Sequence, residues 1–196
     1  MPRMHTPAML HFTGDPEADQ LLASDPLALL IGFALDQQVS VQKAFSGPAE
    51  LRRRIGHLEA ARIAATDLAE LERIFRERPA LHRFPAAMAG RVQSLCAVIA
   101  REYGGDAANV WREARDGPDL QRRLLALPSI GEMKARSLIA ILGKRLGVDL
   151  PDMAAVMPSH PTLGDVDSPE ALEQYQALKR AYKAELRAKG ETFGGR

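Results

Sequence analysis

Two helical patterns meet across a connector of four residues, and that junction constrains the fold more than any other feature of the chain. In the segment from Gln121 to Leu146, Leu124, Leu125 and Leu127 supply apolar positions before Pro128, and Ala135, Leu138, Ile139, Leu142 and Leu146 recur at helical spacing after Gly131. Proline stops the first helix because it has no N–H, and glycine frees the backbone to turn. Helices joined this tightly pack side by side as a hairpin. The same period recurs in Leu27, Leu30, Ile31, Ala34 and Leu35, in Leu68, Leu71, Ile74 and Phe75, and in Met88, Val92, Leu95, Val98 and Ile99. No alternating strand pattern competes, so an all-α fold is expected.

Punctuation marks the helices. Asp25-Pro26 reads as a cap followed by proline at the first helical position, Gly47-Pro48 as the opening of a short helix closed by Gly56, and Gly104-Gly105 as the end of a long helix begun near Pro85. Asp67 and Asp106 are further capping candidates. Cys96 and Met88 belong to the core face of the long helix. Residues 151–167 show no clear period, Ser168-Pro169 begins a last helix running to about Lys189, and residues 190–196 read as frayed.

Composition narrows the classes. The chain has 196 residues, 46% of them hydrophobic, enough for a packed core. Its 26 basic and 25 acidic residues nearly cancel, but residues 121–145 carry a local +5 and residues 1–30 a local −3. Cys96 is the only cysteine, which excludes an internal disulfide, an all-cysteine zinc site and a four-cysteine iron–sulfur cluster. His5, His11, His57, His82 and His160 lack metal-ligand spacing, so neither a metal nor another cofactor is expected. The longest apolar stretch, Pro26 to Leu35, is about half a bilayer crossing, and no targeting pattern opens the chain. A cytoplasmic protein without a membrane partner, monomeric by default, is the expectation.

The connector has a chemistry of its own. Backbone amides of the Pro128-Ser129-Ile130-Gly131 connector, from Ser129 onward, and the N-terminus of the next helix favour phosphate oxygens, and Lys134, Arg136, Lys144 and Arg145 add positive charge. Such contacts hold a duplex without reading its sequence. The alternative is an ordinary interhelical turn beside a solvated basic face.

This segment resembles the Leu-Pro-Gly-Ile/Val-Gly hairpin of the HhH-GPD superfamily of base-excision DNA glycosylases, with Ser129 in place of the middle glycine. Leu30-Ile-Gly-Phe-Ala-Leu-Asp-Gln-Gln-Val-Ser-Val-Gln-Lys-Ala44 is similar to an early helix-and-turn of the same superfamily, most like its 3-methyladenine glycosylase branch. The order and separation of the segments match, and the resemblance covers residues 26–150. It implies a two-lobed helix-hairpin-helix glycosylase fold, with an early lobe over residues 26–116, the hairpin over 117–150, and residues 1–25 and 151–196 packing on the lobes. It also implies double-stranded DNA bearing a damaged base as the partner.

Within that likeness, Gln37 and Gln38 fall where relatives bring a glutamine near the gap left by an extruded base; the alternative is that their amides cap the neighbouring helix. Met133 occupies the position of the lysine nucleophile of bifunctional members and has no amine for a Schiff base, so a monofunctional glycosylase without lysine-dependent lyase activity is implied. Lys134, one step on, is rotated about 100° away. The catalytic aspartate of the superfamily maps to the neighbourhood of Pro151, Asp152 and Met153, making Asp152 the first candidate and Asp149 the second, with a helix N-cap as the alternative role for either. A non-catalytic DNA-lesion or junction binder of the same fold is the competing expectation. Trp111 and Phe84 are candidates for stacking on a base or for the core, Tyr175 and Tyr182 share a helix face suited to packing, and Arg52-Arg53-Arg54 suits phosphate or solvent.

Overall fold

The computed structural model describes residues 9–191, and every regular element among them is helical. In chain order these are α1 (Pro16–Ser24), α2 (Pro26–Leu35), α3 (Val41–Ile55), α4 (Ala60–Ala65), α5 (Leu68–Arg76), α6 (Pro85–Glu102), α7 (Asn109–Arg112), α8 (Gly117–Leu125), α9 (Glu132–Lys144), α10 (Met153–Val156), a 3₁₀ turn (Leu163–Asp165) and α11 (Pro169–Ala188). The all-α expectation holds. Side-chain caps explain many of the starts: Asp25 Oδ1 accepts from the amides of Leu27 and Ala28 at 2.9 and 3.2 Å, Asp67 Oδ1 from Glu70 at 3.2 Å, and Ser168 Oγ from Ala171 at 3.1 Å. Asp106 Oδ1 likewise accepts from Ala108 N at 2.9 Å, ahead of α7.

One helix differs from the sequence reading. Gly47-Pro48 does not open a helix; α3 runs unbroken from Val41 to Ile55 with Pro48 inside it. Ser40 begins it, its Oγ accepting from Lys43 N at 3.1 Å, and Gly56 at φ +82° closes it. The bond lost at proline is offset by burial, since Gly47 and Pro48 are both buried and a Cβ on Gly47 would lie 2.4 Å from Leu35 Cδ1. The 151–167 stretch, aperiodic in sequence, contains α10 and the 3₁₀ turn. Residues 192–196 of the tail read as frayed, like His5, lie outside the described residues.

α2 is the central element. Every residue from Leu27 to Leu35 is buried, and α1, α3 and α6 pack around it, as an all-round apolar helix requires. Phe45 of α3 sits edge-on to Phe12 and Phe33, with ring centroids 5.2 and 5.0 Å away. No single described helix is long and apolar enough to cross a membrane; α1 and α2 reach that composition only together, across a 113° bend. A second group is built on α8 and α9, with α7, α10 and the 3₁₀ turn packed on it, and one continuous apolar core runs through both groups. Cys96, Met88 and Trp111 belong to that core, and burial raises the Cys96 thiol pKa to about 12.

Candidate functional site: a helical hairpin facing a polar turn

The connector between α8 and α9 stands open. Gly131 and Met133 are exposed, Pro128 and Ser129 half-buried, while Leu127 and Ile130 point into the core and anchor the turn from below. Ser129 adopts φ +66°, the left-handed region that glycine reaches more easily. Gly131 caps α9 without a side-chain bond, and no described residue accepts from the amides of Gly131, Glu132 and Met133. These donors and the positive end of a 13-residue helix therefore face solvent together.

The second segment folds into a pinned turn. After α2, Gln37 N donates to Leu35 O at 2.8 Å, and Gln38 stands at φ +54° with its side chain exposed. His82, 1% exposed, places Nε2 between the carbonyls of Leu35 and Gln37 at 3.1 and 3.0 Å, while its Nδ1 accepts from Phe84 N at 3.0 Å. The neutral Nε2–H tautomer satisfies all three contacts, and burial lowers the His82 pKa against the two carbonyl bonds. Gln37 Oε1 accepts from Arg91 Nη1 on α6. Neither glutamine caps α3, because Ser40 does.

Lys134 joins turn to hairpin. Its side chain is half-buried, not spread on a solvated face, and Nζ donates to Ser129 O at 3.3 Å. Burial lowers its pKa, opposed by Asp36 and reinforced by Arg91. Asp36, the residue before the glutamine pair, is itself half-buried; burial raises its pKa against the pull of Lys179, Lys134 and Lys183. Tyr175 on α11 feels the same carboxylate, with burial first and Asp36 second pushing its hydroxyl to about 12. α11 is tied across this site by paired amide bonds between Gln42 and Gln176 at 2.8 and 3.3 Å. Between α9 and α11 lies an open cavity of about 680 Å³, with Met133, Arg136, His160, Tyr175 and Leu178 on its walls.

The aspartates taken from the sequence lie elsewhere. Asp152 is exposed at φ +57° and precedes α10 without a side-chain capping bond. Gly117 N donates to Pro151 O at 2.8 Å, which puts Asp152 against the first turn of α8. The connector leaves the last turn of that nine-residue helix, about 13 Å further along. Asp149 is exposed beyond the C-terminal end of α9, where Val148 N bonds Leu142 O at 2.9 Å. The structure thus brings together Gln37, Ser129 and Lys134 and adds Asp36 and Arg91, but not Asp149 or Asp152. Asp36 stands inside the motif read from the sequence; what the motif lacks is the tertiary contact that sets a lysine and a carboxylate opposite each other.

The basic stretch is also less bare than its count implies. Arg122 and Arg123 bond the buried carboxylate of Asp119, which backbone and guanidinium donors, the Arg115 amide foremost, hold near 2. Lys144 pairs with Asp165 at 2.5 Å, and Arg136, exposed, lies 3.9 Å from Glu132. Among the described residues no group of His, Cys, Asp and Glu could hold a metal ion. Comparison with known proteins gives no match to any family model, curated protein or solved structure.

Proposed function

We propose that this protein binds the sugar–phosphate backbone of duplex DNA through the 128–133 hairpin and hydrolyses the N-glycosidic bond of a damaged base, as a monofunctional DNA glycosylase. One observation carries the reading: the unpartnered amides at the start of α9 open beside the turn that holds Gln37 and Asp36. A phosphate on those amides brings the adjoining nucleotide toward that turn, and the resemblance of both segments to base-excision glycosylases supports the pairing. The cavity between α9 and α11 has room for an extruded base.

The chemistry asked of the site is modest. The C1′–N bond breaks with its electron pair leaving on the base, positive charge builds on the sugar ring as it does so, and water then adds its hydroxyl to C1′ while its proton ends on the departed base. A carboxylate fixed near that charge lowers the barrier. Its place beside the hairpin makes Asp36, in preference to Asp152 or Asp149, the group for this role. Lys134 meanwhile helps keep the acid ionised.

A non-catalytic lesion binder is the second reading, favoured by the exposure of Asp149 and Asp152 far from the hairpin. Duplexes carrying uracil, alkylated purines or oxidised bases, incubated with the protein and then treated with hot alkali, separate the two. Strand breaks at the modified base establish the glycosylase, and salt-dependent binding without breaks establishes the binder. Absence of duplex binding overturns both.

A further inference from the structure

The cavity between α9 and α11 is positive at the end nearest Asp36. Lys179 stands on its α11 wall, half-buried, and Arg136 on its α9 wall, 3.9 Å from Glu132. Lys179 Nζ lies over the ring of Tyr175, 5.7 Å from its centroid. Lys179 also leads the three lysines, with Lys134 and Lys183, that pull on the single carboxylate of Asp36. Asp165, which acts on Tyr175 as well, is paired with Lys144. His160 brings no negative charge to the wall, and the carboxylate there, Glu191, follows the end of α11, its amide on Leu186 O at 2.8 Å. From Tyr175 to Leu186 the helix rises about 16 Å.

That charge decides which base can be released. An N-alkylated purine carries a positive ring and leaves the sugar as a neutral molecule. Uracil is neutral, takes the electron pair of the broken C1′–N bond, and leaves as an anion. A cationic base is drawn to an aromatic face. On Tyr175, however, such a base meets the ammonium of Lys179, and the like charges repel. An anion forming on a neutral base meets the opposite: Lys179 attracts it, from a half-buried position where the attraction exceeds that in water. Undamaged bases are neutral too, but the cost of leaving the stack holds them back and is least for a mispaired base.

We propose that Lys179 sets the charge selectivity of the base cavity, so that the protein releases a neutral mispaired base, with uracil as the type, and rejects cationic alkylated purines. This rests on the glycosylase reading above and names its substrate class. The class differs from the alkylated purines of the branch that residues 30–44 most resemble. The electron pair of the broken bond stays on the base, Lys179 stabilises the charge there, and the proton of the attacking water neutralises it while the hydroxyl bonds C1′.

The test is single-turnover excision from two duplexes, one with uracil opposite guanine and one with 7-methylguanine opposite thymine, so that each target is mispaired. The wild-type protein should release uracil faster. Lys179→Met, which keeps the stem and drops the charge, should slow uracil release about 10- to 100-fold and raise that of 7-methylguanine. Lys179→Arg should keep the wild-type preference. The loss in Lys179→Met should shrink on 5-fluorouracil, whose anion is the more stable leaving group, an effect that damage to the fold does not produce. Faster release of 7-methylguanine by the wild type, an unchanged ratio of the two rates in Lys179→Met, or an undiminished loss on 5-fluorouracil each overturn the selectivity role and leave the glycosylase reading standing. Release of neither base overturns the selectivity role as well, and the glycosylase reading then fails with it unless an oxidised base is released.

Discussion

Asp36 bears an electrostatic cost in the folded protein. Its burial outweighs the attraction of three lysines, so the folded protein disfavours its charge relative to the unfolded chain. Local strain of this kind concentrates where chemistry is done. Asp36→Asn removes the cost while keeping the shape; the expected result is a melting temperature no lower than wild type together with a glycosylase rate reduced about 10²- to 10³-fold. A structural aspartate would give the reverse, lost stability with retained turnover. His82 supplies a second residue-scale prediction. Its pKa is lowered on folding, so its contribution is complete above the unfolded value of 6.5 and is lost as the pH falls below it. Protonation at Nδ1 removes the acceptor for Phe84 N and loosens the turn at Gln37. Melting curves should drop between about pH 7 and about pH 5, and His82→Phe should flatten that drop. The residual slope belongs in part to His57, whose pKa is also lowered, chiefly by burial.

Helix contacts decide what sequence patterns leave open. The approach of α2 to α3 depends on Gly32, where a Cβ would come within 2.5 Å of Phe45 Cδ1. That ring is held between Phe12 and Phe33 and has nowhere to go. Gly32→Ala should therefore destabilise by about 1–3 kcal/mol in denaturant unfolding. Gly90→Ala, in α6 where an added Cβ meets nothing within 4 Å, should stabilise slightly instead. The same packing explains why Pro48 misleads as a helix start: proline and glycine punctuate by local rule, and a buried Gly47-Pro48 pair against Leu35 overrides it. The starts of α2, α6 and α11 were legible because an aspartate cap or an N1 proline acts within one turn. The hairpin was legible because Pro128 and Gly131 act locally too, between two apolar helical periods. Asp36 and Lys134 were not, since the first lies in a turn whose aim is set by His82 and the second is folded back by burial.

Across the molecule, a formal charge of +1 leaves little long-range field to draw a polyanion in, so attraction to DNA must be local. Counting the six basic residues of 121–145 as free phosphate ligands gives a log–log salt slope of about −5. The structure gives them internal partners: Arg122 and Arg123 on Asp119, Lys134 on Ser129 O, Arg136 near Glu132, Lys144 on Asp165, and Arg145 Nε on Gly164 O at 3.0 Å. An adjacent carboxylate reduces the counterions each cation displaces, and hairpin amides bind phosphate without displacing any through a charge of their own. The expected slope for duplex binding is therefore about −2 to −3, measured by anisotropy between about 50 and 200 mM salt. Arg136→Glu should make it shallower by about one and weaken binding to damaged and undamaged duplexes alike. A slope near −5 that is unchanged by Arg136→Glu would move the footprint away from the hairpin, toward the exposed Arg52 and Arg53 on α3.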